Sequence, residues 1–384
     1  MHITILCKVV DNFGDIGVVY RLSKQLKKLN PENSINLITD NLFSFQKICS
    51  SVRTDVPFQT VEGLDIYDWN ADSFCHEAFL RGDGELMPVI LECFQCGRPD
   101  WMERILFEEK LNRTVQILMI DYLTAEKYAE EFHCLQSLTR SAKVQKVNFM
   151  PGFTEKTGGL VIDDQWRELP SYKADGPVLV FTYESDWQTL AKALADYCKK
   201  DSKKVLLAQG RGKESFMNAV KVCGAEKFVE ELPYLNQTEW DNMMKGCSAL
   251  VIRGEESMSR ACLSGIPFIW HAYPQSDEYQ LVKVKALLER MRAHFEERDF
   301  EVVSNAWLDI NGETWIASPS ARNDETDEPA SSLRGAMRRS NPYSDFFAAV
   351  PRLVPGFHDF ARSLRKNGDL AANLMTYIEK LDII

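Results

Sequence analysis

The sequence lacks several motifs, and each absence narrows the range of functions. It contains no H-x-x-x-H or H-E-x-x-H arrangement and no D-x-D triplet, so we expect no dedicated divalent-metal site. It contains no G-x-G-x-x-G sequence, which argues against a nicotinamide-dependent oxidoreductase. It has no apolar run long enough to span a bilayer. It has no excess of positive charge either, because 45 Lys and Arg stand against 56 Asp and Glu, a net charge of −11. Neither nucleic acid nor an anionic membrane is therefore an expected partner.

The N-terminal segment and the cysteines indicate a cytoplasmic protein. The opening MHITILCKVVDNFGD reaches Asp11 directly after its apolar run and has no small-residue cleavage site, so we expect no signal peptide. The 10 cysteines are scattered, mostly within apolar segments, as is typical of reduced cytosolic thiols. Cys93 and Cys96 form a lone C-x-x-C with no second pair at zinc spacing, so a metal or redox role is not favoured.

The pattern of short apolar strands and amphipathic helices predicts an α/β fold with two Rossmann-like domains facing across a cleft. The length of 384 residues also suits two domains. Between them lies a Gly-, Asp- and Pro-containing stretch that resembles a linker. The predicted boundaries are 1–153 for the first domain, 154–176 for the linker, 177–342 for the second domain, with 318–342 as a polar mobile loop, and 343–384 for C-terminal helices expected to pack back on the first domain. In the first domain, the apolar periodicity predicts an amphipathic helix from Val18 to Leu29 with Arg21 on its solvent side.

The stretch Leu250 to Gln275, LVIRGEESMSRACLSGIPFIWHAYPQ, has the pattern of a phosphate-binding turn. A strand, a glycine and a helix N-terminus place free backbone N–H groups and the positive end of the helix dipole at one point. Arg253 adds charged donors, Gly254 allows close approach of a ligand, and the Ser257 hydroxyl is either a further phosphate ligand or a simple helix cap. Glu255 and Glu256 are unexpected beside an anion. They either complement the helix dipole or contact something other than phosphate.

The loop after the first strand carries a second candidate site. Asp11 and Asp15 lie four residues apart across a loop that holds Gly14 and Gly17, at the end of a strand where α/β folds bind ligands. One interpretation makes Asp11 a turn former and Asp15 a helix cap. The other makes one carboxylate a general base and the other its orienting partner.

Aromatic residues at the strand ends form a third candidate site. Four of them follow strands of the second series and can stack on a nucleobase: Phe181, Tyr183, Tyr234 and Tyr273. The alternative for Phe181 is a role in capping the core. Gln237 is a candidate reader of a base edge.

Five segments in the same order resemble the bacterial protein-arginine rhamnosyltransferase family, EarP: VVDNFGDIGVVYRL, FTYES, LPYLNQ, IRGEESMSRA and WHAYPQ. Together they extend over both halves of the chain. The resemblance implies a GT-B fold, with an N-terminal acceptor domain and a C-terminal nucleotide-sugar donor domain. It also implies transfer of rhamnose from dTDP-β-L-rhamnose to one arginine of translation elongation factor P, with inversion at the anomeric carbon. Because Arg253 and the helix N–H groups can stabilise the departing diphosphate, we expect no metal or other cofactor.

The resemblance also implies roles for individual residues. Asp15 matches the proposed general base, Asp11 a second essential aspartate and Glu255 an essential glutamate. The residues that match or flank substrate-binding segments are Phe13, Gly14, Ile16, Gly17, Phe181, Tyr183, Tyr234, Gln237, Arg253, Gly254, Glu256, Ser257, Tyr273 and Gln275. Tyr234 stands where many members carry Phe, and Glu256 where many carry Asp. The 318–342 region matches nothing in the family.

The chemistry of an arginine acceptor gives the carboxylates a function. A guanidinium keeps its proton throughout the physiological pH range and is a poor nucleophile, and a carboxylate can hold it through two hydrogen bonds and accept its proton. Our hypothesis is that Asp15 takes the proton while Asp11 and Glu255 position the guanidinium and nearby sugar hydroxyls. The alternatives are a sugar-nucleotide epimerase, which needs no protein acceptor, and a non-catalytic nucleotide-sugar-binding protein, in which Asp11 and Asp15 would be dispensable.

Overall fold

A computed structural model of the chain describes residues 1–10, 13–81, 87–109, 111, 113–312 and 341–381. Asp11 and residues 318–340 of the predicted polar loop lie outside the described residues. Within the described ranges, no helix is long and apolar enough to cross a membrane.

The N-terminal half forms an eight-stranded, mainly parallel sheet. Its strands are β1 (His2–Cys7), β2 (Ser34–Thr39), β3 (Phe58–Val61), β4 (Leu64–Asp68), β5 (Val89–Cys93), β6 (Val115–Ile120), β7 (Gln136–Ser137) and β8 (Val144–Phe149). The helices between them are α1 (Gly14–Leu29), α2 (Leu42–Ile48), α3 (Asp72–Arg81), α4 (Asp100–Phe107) and α5 (Tyr128–Phe132). Each face of the sheet has its own core, because neighbouring residues of β1 point in opposite directions: Ile5 packs with α1, and Leu6 packs with α4.

The second half forms a five-stranded parallel sheet. Its strands are β9 (Val178–Val180), β10 (Val205–Leu207), β11 (Val229–Glu231), β12 (Ala249–Arg253) and β13 (Phe268–His271). The helices that follow or connect them are α6 (Gln188–Asp201), α7 (Lys213–Val222), α8 (Gln237–Lys245), α9 (Glu255–Ser264), α10 (Tyr279–Met291) and α11 (Glu297–Ile310). These two sheets confirm the predicted α/β alternation.

The order of the strands identifies the edge of each sheet at which a ligand is expected to bind. The first sheet runs β3-β4-β2-β1-β5-β6-β8-β7 and the second runs β11-β10-β9-β12-β13. Both orders reverse at a central pair, β1 with β5 and β9 with β12. Open α/β sheets bind ligands outside the carboxyl ends of the strands at such reversals. The loop after β1 and the turn after β12 therefore occupy the expected positions for a site.

Helix α1 differs from its predicted form in two ways. It begins at Gly14 and not at Val18, so Asp15 lies in its first turn, where a carboxylate complements the helix dipole. Arg21 was expected on the solvent side, but its side chain is only 5% exposed. It is buried because α1 packs against the second half of the chain as well as against its own sheet.

The C-terminal helices connect the two halves. Helix α12 (Pro342–Lys366) packs against α6, α9 and α11, whereas α13 (Leu370–Ile378) packs against α1 and joins the core of the first sheet. Asp369, between α12 and α13, holds this part of the chain against the first half, because its carboxylate accepts hydrogen bonds from the Ile162 backbone N–H and from the Gln25 side chain. The domain boundaries given above remain a prediction.

Candidate active site

Two adjoining cavities lie where the loop after β1 faces the turn between β12 and α9. The larger, the acidic cavity, has a volume of about 290 Å³ and is defined by Asp15, Tyr122, Glu255 and Lys283. The smaller, the aromatic cavity, has a volume of about 190 Å³ and is defined by Phe13, Phe181, Tyr234, Trp240 and Arg253. The residues that line both cavities are Gly14, Tyr183, Gly254, Glu255 and Glu256. The site therefore has two connected compartments with different chemistry.

Arg253 is one of the cationic residues that line the aromatic cavity. Strands β9 and β12 are paired in parallel, with Val180 opposite Val251, so their carboxyl ends bring Arg253 beside the aromatic residues that follow β9. The central carbon of its guanidinium lies 4.4 Å from the ring centroids of both Phe181 and Tyr183. This cation–π arrangement fixes a buried, planar donor group at the cavity wall.

The turn after Arg253 points the start of α9 at the same cavity. Gly254 has φ +72 and ψ 170, a conformation that favours glycine, and its carbonyl accepts a hydrogen bond of 3.2 Å from Trp270 Nε1. Ser257, in the first turn of α9, is buried and lines the cavity. Since the first N–H groups of a helix have no carbonyl partner within it, this end of the cavity suits an anion.

The wall of the aromatic cavity also includes further aromatic rings, one of them exposed. Tyr234 is 65% exposed, and its ring lies 6.4 Å from that of Phe13, which belongs to the other half of the chain. Trp240 packs against Phe181 with ring centroids 5.2 Å apart. These rings suit stacking with a planar ligand group, whose other end would extend toward Arg253.

A buried histidine supports Tyr183. His271 Nδ1 accepts the Tyr183 backbone N–H at 3.3 Å, and the Tyr183 ring packs edge-on against His271 and Tyr273. Burial, and then the nearby Arg253 charge, lower the pKa of His271 to about 4. The imidazole is therefore neutral near pH 7 and can act as this acceptor.

The acidic cavity brings together carboxylates from both halves of the chain. The Asp15 side chain is only 4% exposed, and its Oδ2 accepts the Val10 backbone N–H at 2.8 Å. Glu255, at the start of α9, lines the same cavity. Burial raises the pKa of Tyr122 well above its usual range, and the negative charges of Asp15 and Glu255 raise it further. Both carboxylates therefore act on one ring in the cavity wall.

Three residues that were predicted to contact substrate make other contacts in the structure. Ile16 is fully buried in the core beneath the first sheet and lines neither cavity, which corrects its predicted contact with substrate. Glu256 lies in the wall, but its Oε1 accepts from Arg21 Nε at 2.7 Å, so its carboxylate belongs to an ion network and not to an open binding surface. Gln237 donates through Nε2 to the Gly17 carbonyl at 2.7 Å. This contact joins α8 to α1 and uses the nitrogen of the amide that was expected to read a base, whereas the amide oxygen has no hydrogen-bond partner among the described residues.

Three further predicted residues each line one of the two cavities. Gly17 lines the aromatic cavity, and Tyr273 and Gln275 line the acidic cavity. Tyr273 is 47% exposed, and the backbone N–H of Gln275 donates to Gln280 Oε1 at 3.1 Å. Tyr122 and Lys283 were not among the predicted site residues. The position of Tyr122, two residues after the end of β6, was the signal that could have identified it, whereas nothing local in the sequence distinguishes Lys283.

The chain resembles known proteins over most of its length. A family model described as Elongation-Factor P (EF-P) rhamnosyltransferase EarP matches residues 3–174 and 166–379. The chain is 31% identical over 326 residues to a protein-arginine rhamnosyltransferase of Shewanella oneidensis, covering 75% of this chain and 80% of that relative. It is 29% identical over 343 residues to a protein-arginine rhamnosyltransferase of Neisseria meningitidis serogroup B, covering 80% and 83%.

Solved structures show the same fold. One, described as the structural basis for EarP-mediated arginine glycosylation of translation elongation factor EF-P, matches with a TM-score of 0.55 at 16% identity, over 98% of this chain and 99% of that chain. The glycotransferase of kitacinnamycin matches with a TM-score of 0.52 at 10% identity, over 99% of both chains. These similarities confirm the predicted GT-B fold.

Proposed function

The chain belongs to the EarP family of elongation factor P (EF-P) rhamnosyltransferases, and from that premise we propose that it transfers L-rhamnose from dTDP-β-L-rhamnose to an arginine side chain of EF-P, with inversion. Membership makes it an enzyme of the glycosyltransferase class. The observation that supports the proposal most directly is that two different cavities adjoin each other. Asp15 and Glu255 line the acidic cavity, and Arg253 lines the aromatic cavity beside it.

The aromatic cavity fits the nucleotide part of the donor. The thymine ring stacks near Tyr234 and Phe13, and the diphosphate lies against Arg253, Ser257 and the first turn of α9. A guanidinium and helix N–H groups both stabilise a departing diphosphate, which is the function that a metal ion serves in other transferases. The proposed reaction is therefore independent of metal and cofactor, and EDTA is expected to leave its rate unchanged.

The acidic cavity fits the sugar and the acceptor guanidinium. Asp15 accepts the guanidinium proton as the nitrogen attacks the anomeric carbon, while Glu255, with Asp11, positions the acceptor and nearby sugar hydroxyls. Attack occurs on the face opposite the dTDP leaving group. A single displacement forms the N–C bond, breaks the C–O bond to dTDP and inverts the anomeric centre. Because EF-P is a translation factor, we propose that the enzyme acts in the cytoplasm.

Mass spectrometry of the acceptor tests this function. EF-P incubated with this protein and dTDP-rhamnose is expected to gain one rhamnose-sized increment on a single arginine. The matched controls omit the donor or replace that arginine by lysine, and neither is expected to show the increment. An unmodified EF-P would contradict the proposal, and an isomerised nucleotide sugar formed without any acceptor would favour the epimerase alternative.

We expect Arg253→Gln to weaken dTDP binding by about 10- to 100-fold, because a hydrogen bond to a charged group contributes roughly 1.5–3 kcal/mol. Isothermal titration calorimetry measures the dissociation constant directly. Arg292→Gln is the control, since Arg292 also lies over a ring, 4.1 Å from the centroid of Phe300, but lines neither cavity. Equal dTDP affinity in the two variants would show that Arg253 does not bind the diphosphate.

A further inference from the structure

Glu255 already holds a cation within the acidic cavity. Lys283, on α10, places its Nζ 3.0 Å from Glu255 Oε1, and both side chains line the cavity. The two side chains are 21% and 25% exposed. The ammonium is also 6.0 Å from the ring centroid of Tyr122, the residue on which the charges of Asp15 and Glu255 both act. Lys283 therefore lies in the wall of the cavity that we assign to the acceptor, beside Glu255 and Tyr122.

This ion pair has a consequence for any guanidinium that enters. A guanidinium can bind Glu255 fully only if the existing bond to Lys283 is broken or shared. A lysine side chain can move away by rotation about its flexible stem, since it is a point charge without a fixed hydrogen-bonding plane. Asp121 lines the same cavity, so a displaced ammonium has a second carboxylate nearby as well as solvent.

We propose that Lys283 competes with the acceptor guanidinium for Glu255 and so weakens the binding of every guanidinium by a similar factor. This inference rests on the proposed function, in which an arginine side chain is the acceptor. A free arginine must displace Lys283 using only the contacts of its own small surface. An arginine presented by a docked protein has the contacts of the whole interface as well, so it binds despite the same competition.

Binding of free L-arginine tests the competition without any need for turnover. With dTDP present, Lys283→Met is expected to tighten arginine binding by about two- to five-fold, the effect expected for a partly exposed ion pair. Lys285→Met is the control, because it removes the same charge from an exposed position on the same helix. In a Glu255→Gln background, Lys283→Met is expected to have no effect on arginine affinity. Unchanged or weaker arginine binding in Lys283→Met, or an equal change in Lys285→Met, would overturn the proposal.

Transfer assays give an independent measurement. Lys283→Met is expected to lower the KM for EF-P and to raise transfer to free arginine, with donor affinity equal to that of the wild type. A higher KM with unchanged arginine affinity would identify Lys283 as a residue that positions Glu255, and the competition would be rejected. If wild-type protein left EF-P unmodified, the proposed function would fail, while the arginine-binding comparison would still decide whether Lys283 competes for Glu255.

Discussion

Asp15→Asn is expected to lower kcat for rhamnosyl transfer by about 10²- to 10⁴-fold, the usual contribution of a general base, with donor affinity nearly unchanged. The amide cannot accept the guanidinium proton, but its oxygen can still accept the Val10 N–H that Asp15 Oδ2 now binds at 2.8 Å. The loop should therefore keep its conformation. Single-turnover assays with EF-P and calorimetry with dTDP-rhamnose measure the two quantities separately.

A neighbouring aspartate provides a closely matched control. Asp40 Oδ1 accepts the backbone N–H of Val9 at 2.8 Å, the residue just before Val10. Asp40 lines neither cavity, so Asp40→Asn alters the support of the same loop without altering the proposed base. We expect its kcat to remain within about two-fold of wild type, the scale of most substitutions without a named mechanism. Similar losses in both variants would assign the effect to loop geometry, and near-normal turnover in Asp15→Asn would reject Asp15 as the base.

The parts of the molecule that could be predicted from sequence depend on local chemistry. The alternation of strands and helices follows from hydrophobic periodicity. The turn at Gly254 follows from a glycine between a strand and a helix, and its φ of +72 agrees with that choice. The placement of Arg253 beside the residues after β9 follows from the rule that parallel strands present their carboxyl ends at one edge.

The parts that could not be predicted depend on contacts between distant segments. Periodicity placed Arg21 outside α1, because a helix face that packs against a second domain cannot be distinguished from a solvent-facing one. Gln237 and Gly17 are far apart in sequence, so their hydrogen bond could not be predicted from it. The ion pair of Glu255 with Lys283 was not predicted for the same reason, although one interpretation of the two glutamates was a contact with something other than phosphate. Ile16 was assigned by its neighbours in a motif, whereas its helical position directs it into the core.

The second prediction with a large expected effect concerns Arg21. This residue connects three segments in the region between the two halves of the chain. Its guanidinium contacts Asp163 at 2.6 Å, Asp241 at 2.7 Å and Glu256 at 2.7 Å. Trp166 Nε1 also donates to Asp241, a residue whose side chain is fully buried. Burial acts to raise the pKa of the Asp163 and Glu256 carboxyls, but the charges of Arg21 and Arg260 outweigh it and hold both pKa values below their usual range.

Arg21→Met is expected to lower the free energy of unfolding by about 3–5 kcal/mol at pH 7, the cost of leaving buried carboxylates without their cation. The sign of the pH dependence follows from the lowered pKa values in the wild type. The stabilisation by Arg21 is present above the ordinary carboxyl pKa and is lost as the pH falls. The difference between variant and wild type should therefore be largest near neutral pH and should shrink below about pH 4.

Lys28→Met is the matched control for Arg21→Met, since Lys28 also extends from α1 to a carboxylate of the same connecting segment, Asp164. That pair is 55% and 51% exposed, and an exposed ion pair contributes only about 0–1 kcal/mol. Urea unfolding of both variants, followed by tryptophan fluorescence between about pH 3 and pH 7, measures the two effects. Equal destabilisation by the two substitutions, or an Arg21→Met effect that grows as the pH falls, would contradict a buried network held by Arg21. The expected outcome, a large effect that diminishes with acid, would identify Arg21 as the residue that holds the start of α9, and with it Glu255 and Ser257, against the N-terminal half.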